Sequence, residues 1–141
     1  MIVAVKGSVC NMETYKLVEL ARAFLPRAYA PYSGYRVAAA LLTTNGEVFY
    51  GVNVENASLG LSMCAERVAV TSAITAGHRK FLSLAVVAEG ESPPLPCGAC
   101  RQVLHEFAPN LQIVVAMQDK KSKTFALREL LPHTFEFTGK K

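Results

Sequence analysis

Tyr35-Arg36-Val37-Ala38-Ala39-Ala40-Leu41-Leu42-Thr43-Thr44-Asn45-Gly46-Glu47-Val48-Phe49-Tyr50-Gly51-Val52-Asn53-Val54-Glu55 is the stretch of this chain that decides its fold. Two extended runs, 35–43 and 47–55, flank Asn45-Gly46, the strongest short hairpin signal because both residues tolerate positive φ. From Val37 to Leu42 the first run is apolar without alternation. A strand with one wet face alternates apolar and polar residues; a continuous apolar run is covered on both faces. Run 35–43 is therefore expected in the interior of a sheet with helices on both sides.

The flanking segments supply those helices. Residues 12–25 read as a helix with Asn11 as N-cap, carrying Leu17, Leu20, Ala21, Phe24 and Ala28 at helical spacing and ending or kinking at Pro26. Residues 62–76 read as a second helix, with Ser62 as cap and Gly77 just past the end. Its only charges are Glu66 and Arg67, so it has no strongly polar face and is expected to be buried. Leu82–Ala88 is a strand, and Glu89–Pro96 a Pro-rich loop. A third helix begins near Pro96, followed by a strand at Leu111–Met117. A strand near Thr124 and a short helix at Leu127–Leu131 close the chain. Helix, hairpin, helix, strand, helix, strand predicts a three-layer α/β/α sandwich around a mixed sheet.

The 141 residues are expected to form a single domain, 1–141, with residues 1–10 and 138–141 flexible. The chain is 51% hydrophobic and 18% charged, which excludes disorder and leaves too few charges to coat a monomer, so burial against other subunits is expected. The net charge of +4 lies in residues 120–141, with six basic residues and two acidic; residues 1–119 hold nine of each. A basic excess in a loop and tail is a solvated feature rather than a nucleic-acid face, so no nucleic-acid partner is expected. No apolar run reaches the roughly 20 residues a membrane helix needs, and a cytoplasmic enzyme with reduced cysteines is expected.

The four cysteines are Cys10, Cys64, Cys97 and Cys100. Cys97-Gly98-Ala99-Cys100 puts two thiols on the first turn of one helix, facing one point. Cys64 begins the other buried helix. Helix N-termini favour thiolates, and three thiolates favour zinc. Three protein ligands leave an open, catalytic position; a fourth ligand would close a structural site. Cys10 sits in the N-terminal segment, His105 is poorly offset from Cys97 and Cys100, and His78 and His133 lie in loops or turns, so the open site is preferred. Glu66 follows Cys64 on the same buried turn and can move protons beside it. The bland alternative is a surface pair with Arg67. Three thiolates on Zn²⁺ carry a formal charge of −1, which Arg67 can offset by hydrogen bonding to sulfur. Asn53 and Glu55, one residue apart at a strand end, point to one face and can grip a hydroxyl between amide and carboxylate. Their alternative role is to cap the adjoining loop.

These motifs resemble the zinc-dependent cytidine deaminases. The likeness rests on Ala30-Pro31-Tyr32-Ser33, Val52 to Ser58, Cys64-Ala65-Glu66-Arg67, then after 29 residues Pro96-Cys97-Gly98-Ala99-Cys100-Arg101-Gln102-Val103-Leu104, and Glu129-Leu130-Leu131-Pro132. It spans Tyr15 to Phe135, and the all-cysteine ligand set resembles the small homotetrameric branch. The resemblance implies a cytidine deaminase-like fold, one Zn²⁺ per subunit held by Cys64, Cys97 and Cys100, and Glu66 as proton shuttle. It implies hydrolysis of cytidine and deoxycytidine to uridine and deoxyuridine with ammonia release, as in pyrimidine salvage. It further implies that Asn53 and Glu55 bind the sugar 3′-hydroxyl and that backbone at Ala65 contacts the base. Tyr35 takes the stacking position where Phe is usual, with core packing as its alternative. Phe135 matches an aromatic that reaches a neighbouring subunit's site, again with core packing as its alternative. Departures are Arg36 where Pro is common, Ala38 for Gly, and Leu59 for a frequent Tyr. Gly51-Val52-Asn53-Val54 also resembles blasticidin S deaminases, which leaves a second cytosine-nucleoside substrate open. A structural-zinc module and a polynucleotide-editing deaminase are the more distant readings.

Overall fold

The computed structural model describes residues 3–4, 12–119 and 121–139. Asn11 and Cys10, expected as a cap and a bystander thiol, lie outside the described residues, as do Lys120, Lys140 and Lys141.

The hairpin forms as expected. Gly46 turns the chain at φ 84°, its N–H donates to the Thr43 carbonyl (3.1 Å), and Thr43 Oγ1 accepts from Glu47 N (3.1 Å). The turn joins β2 (Val37–Thr43) to β3 (Glu47–Val52), with Leu42 opposite Val48 and Ala38 opposite Val52. A short β1 (Val3–Ala4) pairs with the start of β3. On its other side β2 pairs antiparallel with β4 (Phe81–Ala88), which pairs parallel with β5 (Gln112–Ala116). β6 (Ser122–Ala126) closes the sheet in the order β1-β3-β2-β4-β5-β6.

Because side chains alternate across a strand, β2 divides its apolar residues between two layers. Ala38, Ala40 and Leu42 pack with Leu17, Val18 and Ala21 of α1 (Thr14–Arg22). Ala39 and Leu41 pack with Ala65, Ala69, Val70 and Ala73 of α2 (Ala65–Thr75) and with Leu104 of α3 (Gly98–Phe107). A one-turn α4 (Leu127–Leu130) buries Leu127 in the same layer. The three-layer α/β/α sandwich around a mixed sheet is as the sequence predicts.

Three boundaries differ from expectation. α1 ends at Arg22, and Pro26 sits in a separate 3-10 turn, Leu25–Arg27. β3 ends at Val52 rather than Glu55, because residues 53–55 are shared between two other partners. Tyr29 N donates to the Asn53 carbonyl, and Val54 exchanges hydrogen bonds with Met63. That second pairing holds Met63 extended, so α2 starts three residues later than expected, at Ala65, with Cys64 as N-cap. The Ser62 hydroxyl accepts from Asn56 N (3.1 Å) instead of capping the helix. α2 is also less covered than its composition implies. Ala65, Glu66, Ala69, Val70 and Ala73 are buried, whereas Thr71 and Thr75 are exposed, their hydroxyls donating to carbonyls in the preceding turn.

α2 lies against β3 at backbone contact. A Cβ on Gly51 would sit 2.1 Å from the Ala65 carbonyl oxygen and 2.5 Å from Ala69 N. No side chain fits there without moving the helix. Gly51→Ala is expected to cost about 3 kcal/mol or more, by overpacking against backbone that cannot relax locally. Thermal unfolding with metal analysis checks it: a lowered melting temperature and lost metal are expected together.

Candidate active site

Three thiols come from two helix starts. Cys64 is the N-cap of α2, Cys97 the N-cap of α3, and Cys100 lies on the first turn of α3. Neither N-cap sulfur caps its helix, so both are left for another partner. The three sulfurs lie within 4.8 Å of one another, with Cys64 Sγ and Cys97 Sγ 3.9 Å apart. A tetrahedral zinc with bonds of about 2.3 Å to sulfur places its ligands ~3.8 Å apart. The donor set and spacing therefore suit Zn²⁺. Among the described residues this is the one cluster of such ligand atoms. Two of the three histidines take other partners, His105 Nε2 lying 3.3 Å from Glu136 and His78 Nε2 pairing with Glu47 at 2.5 Å, and His133 is not part of the cluster.

Charge compensation is built into α2. Arg67 Nη2 donates to the Ser62 carbonyl (3.3 Å) and approaches Cys64 Sγ at 3.8 Å, as expected for a residue offsetting three thiolates. Hydrogen bonding from Cys100, reinforced by Arg67, brings the Cys64 thiol down to about 5 against the opposing effect of burial. The same pairing, with burial, holds Cys100 up. Metal coordination would resolve that competition by taking all three as thiolates.

Glu66 is buried, 5% exposed, on the turn that follows Cys64. Burial is the main reason its carboxyl is pushed up to about 7, with the Cys64 charge adding to it. A carboxyl that can hold or release a proton near neutrality suits general acid–base work. The bland reading of Glu66 as half of a surface pair with Arg67 does not hold.

Glu66, Ala65, Cys64 and Cys97 line a cavity of about 460 Å³, a size that fits a small molecule. Tyr35, Val37, Asn53 and Glu55 line it too, as do Pro93, Pro94 and Leu95. Asn53 and Glu55 share the cavity but are already engaged. Asn53 Oδ1 accepts from Val37 N (2.9 Å) and its Nδ2 donates to the Tyr35 carbonyl (2.8 Å). Glu55 accepts from Tyr32 N and Ser33 N (both 3.0 Å) and from Ser33 Oγ (2.5 Å). Those bonds, the Ser33 hydroxyl first, hold its carboxyl below the usual carboxylate range. Both residues thus do the loop-holding work that was their alternative reading. An amide has two N–H groups and a carboxylate about four acceptor sites, so one donor and one acceptor are left. That is what a single hydroxyl requires.

Tyr35 is 37% exposed at the cavity, which sets aside core packing. Phe135 is 71% exposed and does not line the cavity of its own chain; its carbonyl accepts from Gln102 Nε2 (3.1 Å). Core packing is overturned for it as well. Sequence reasoning did not find the Pro93–Leu95 wall, whose only signal was proline content. It also missed the role of Arg101, whose Nε donates to the Pro96 carbonyl (2.8 Å) and Nη1 to the Leu130 carbonyl (2.7 Å). Arg101 thereby ties the segment before Cys97 to α3 and α4.

Residues 12–117 match the family model described as the cytidine and deoxycytidylate deaminase zinc-binding region. The cytidine deaminase of Halalkalibacterium halodurans is 44% identical over 109 residues, 77% of this chain and 83% of that protein. The cytidine deaminase of Sporosarcina psychrophila is 40% identical over 126 residues, 88% of this chain and 92% of that protein. Among solved structures, cytidine deaminase from Burkholderia pseudomallei is similar with a TM-score of 0.85 at 47% identity, covering 88% of this chain and 100% of that one. The Mycobacterium tuberculosis structure gives a TM-score of 0.79 at 37% identity, covering 90% and 100%.

Arg67→Gln, which keeps length but removes the charge beside Cys64, is expected to weaken zinc binding about tenfold. Competition with a chromogenic chelator measures this. Unchanged affinity would show that the guanidinium does not support the thiolates.

Proposed function

This chain belongs to the cytidine and deoxycytidylate deaminase zinc-binding family, and on that footing we propose that it hydrolyses cytidine and deoxycytidine to uridine and deoxyuridine with release of ammonia. One observation carries the reading: a buried carboxyl, Glu66, lies in the turn after a thiol of a three-sulfur centre, in a cavity of nucleoside size.

Cys64, Cys97 and Cys100 would hold one Zn²⁺ and leave the open position of a catalytic site. Zinc supplies the Lewis acidity that makes water a nucleophile near neutral pH. The rest falls to the chain's own groups. Glu66 would take one proton from the attacking water and deliver it to the ring nitrogen. It would then take the second from the new C4 hydroxyl and deliver it to the amino group, so that the C4–N bond breaks, C4 keeps its oxygen as a carbonyl and ammonia leaves. A carboxyl held near neutrality can make both transfers without a large penalty in either direction. Arg67 offsets the negative charge of the thiolates.

The free Asn53 N–H and the remaining Glu55 acceptor would bind the sugar 3′-hydroxyl, which both nucleosides share. Tyr35 would stack on the base, and backbone at Ala65 would contact its edge. Phe135, exposed and not lining its own chain's cavity, would complete the site of a neighbouring copy. A homotetramer accounts for that exposure. It also accounts for a second cleft of about 420 Å³, where Phe24, just after α1, and Tyr50 and Val52 of β3 face Val68 and Ser72 of α2. The two apolar layers share one sheet, which supports residues 1–141 as one domain. No helix of the described residues is long and apolar enough to cross a membrane, in keeping with a cytoplasmic nucleoside enzyme. The neutral balance of residues 1–119 favours a nucleoside over a polynucleotide, which a basic groove would track.

Ammonia release from cytidine, deoxycytidine, cytosine, cytidine monophosphate, blasticidin S and a short single-stranded DNA tests the substrate class. Turnover of the two nucleosides is expected, with none of the strand. Glu66→Ala is expected to lower turnover by about 10³-fold while zinc stays bound. Near-normal turnover would remove Glu66 from the chemistry. Glu55→Gln keeps the shape but weakens a charge-assisted bond, and is expected to raise KM about tenfold.

A further inference from the structure

The cavity has one wall that the catalytic and sugar-binding residues leave unexplained. Pro93, Pro94 and Leu95 form it, on a segment that leaves β4 at Ala88 and runs into Pro96 and Cys97. Prolines have no N–H to donate, so this segment cannot be held as a ladder is. The hydrogen bond within it runs from Leu95 N to the Pro93 carbonyl (2.9 Å).

Its first residue, Glu89, is held firmly. Glu89 N donates to the Arg36 carbonyl (3.1 Å), which extends the β2–β4 ladder by one rung. The Arg36 guanidinium then meets the Glu89 carboxylate as a two-pronged pair, Nε to Oε2 at 2.9 Å and Nη2 to Oε1. Arg36 lies between two residues of the opposite wall, Tyr35 and Val37. Gly90 turns the chain at φ 112°, and a Cβ there would lie 3.6 Å from the Tyr35 ring. The latch therefore joins the start of the loop that carries the proline wall to the strand that carries Tyr35, beside the approach of Gly90 to the Tyr35 ring.

We propose that the Arg36–Glu89 pair is a positioning device that sets the width of the base slot between Tyr35 and the Pro93–Leu95 wall. The inference rests on the nucleoside reading above. Arg36 is not among the residues that line the cavity; it acts by holding the loop, so its loss widens the slot and weakens base binding more than it slows the chemistry. A two-pronged Arg–carboxylate pair is directional, so reversing both partners should restore it, whereas either single change should not.

The test compares Arg36→Ala, Glu89→Gln and the exchanged double variant Arg36→Glu with Glu89→Arg. KM for cytidine and Kd for uridine by calorimetry are each expected to rise about fivefold in the single variants, equivalent to ~1 kcal/mol. Turnover should fall by less than about twofold, because the thiols and Glu66 lie on other elements. Zinc content should not change, and the double variant should recover most of the loss. Raising KCl from about 50 to about 500 mM should raise the KM of the original chain but not that of Arg36→Ala, since the pair is partly exposed and open to screening. If Arg36→Ala fails to fold, the near-isosteric Glu89→Gln carries the test. Single variants with unchanged KM and Kd would overturn the inference, as would equal losses in turnover and affinity with zinc released. If the original chain released no ammonia from cytidine, the nucleoside reading itself would fall; an active chain with indifferent variants defeats the latch alone.

Discussion

The backbone of β3 touches the first turn of α2 at Gly51, and the site depends on that approach. With no Cβ at 51, the Ala65 carbonyl and Ala69 N–H settle almost onto the sheet. Two consequences follow from this single contact. Glu66 is drawn into the interior, where loss of solvent raises its proton affinity. Cys64, at the N-cap, is set beside the start of α3, so that sulfurs from two helices meet within metal-binding distance. A helix held even one methyl group further out would carry both groups with it. The site is thus a consequence of how tightly two secondary structures pack, and only secondarily of which residues line it.

Much of the fold is legible in the sequence because its cues are local. Asn45-Gly46 specifies a turn wherever it stands, and an unbroken apolar run such as Val37–Leu42 has few ways to avoid water except between two layers. The misplaced ends of β3 and α2 share one cause. Met63 pairs with Val54, nine residues earlier, and this non-local bridge keeps the chain extended through Ser62 and Met63. Helical propensity and a serine cap were the right local signals at the wrong residue. Tertiary pairing overrode them, as it commonly does where intrinsic preferences are weak.

The same division runs through the site. Cys97 and Cys100 can be placed together from spacing alone, since residues three apart share a helix face. Asn53 and Glu55 can be placed on one side of the chain for a similar reason. What spacing cannot show is their occupancy: Asn53 fastens the backbone at Tyr35 and Val37, and Glu55 fastens the turn at Tyr32 and Ser33. Each residue spends most of its hydrogen-bonding capacity on the protein and keeps only a remainder for a ligand. Such prior engagement fixes the donor and the acceptor in place before a ligand arrives, which reduces the entropy lost on binding. Rigidity and recognition come from the same side chains.

The amino-acid sequence alone dictates the three-layer order, the central strand, the Cys97–Cys100 pair and the carboxyl beside Cys64, because each follows from periodicity or short spacing. It also located the net charge in residues 120–141, away from the chemistry. Long-range packing is what engages Asn53 and Glu55 with the loops beside them, leaves Phe135 outside its own chain's cavity, and brings Arg36 to Glu89 across 53 residues. The physical reason is the range of the interactions. Hydrogen bonds along one helix or one turn are written in neighbouring residues, whereas desolvation, ion pairing and cavity shape are set by segments distant in the chain.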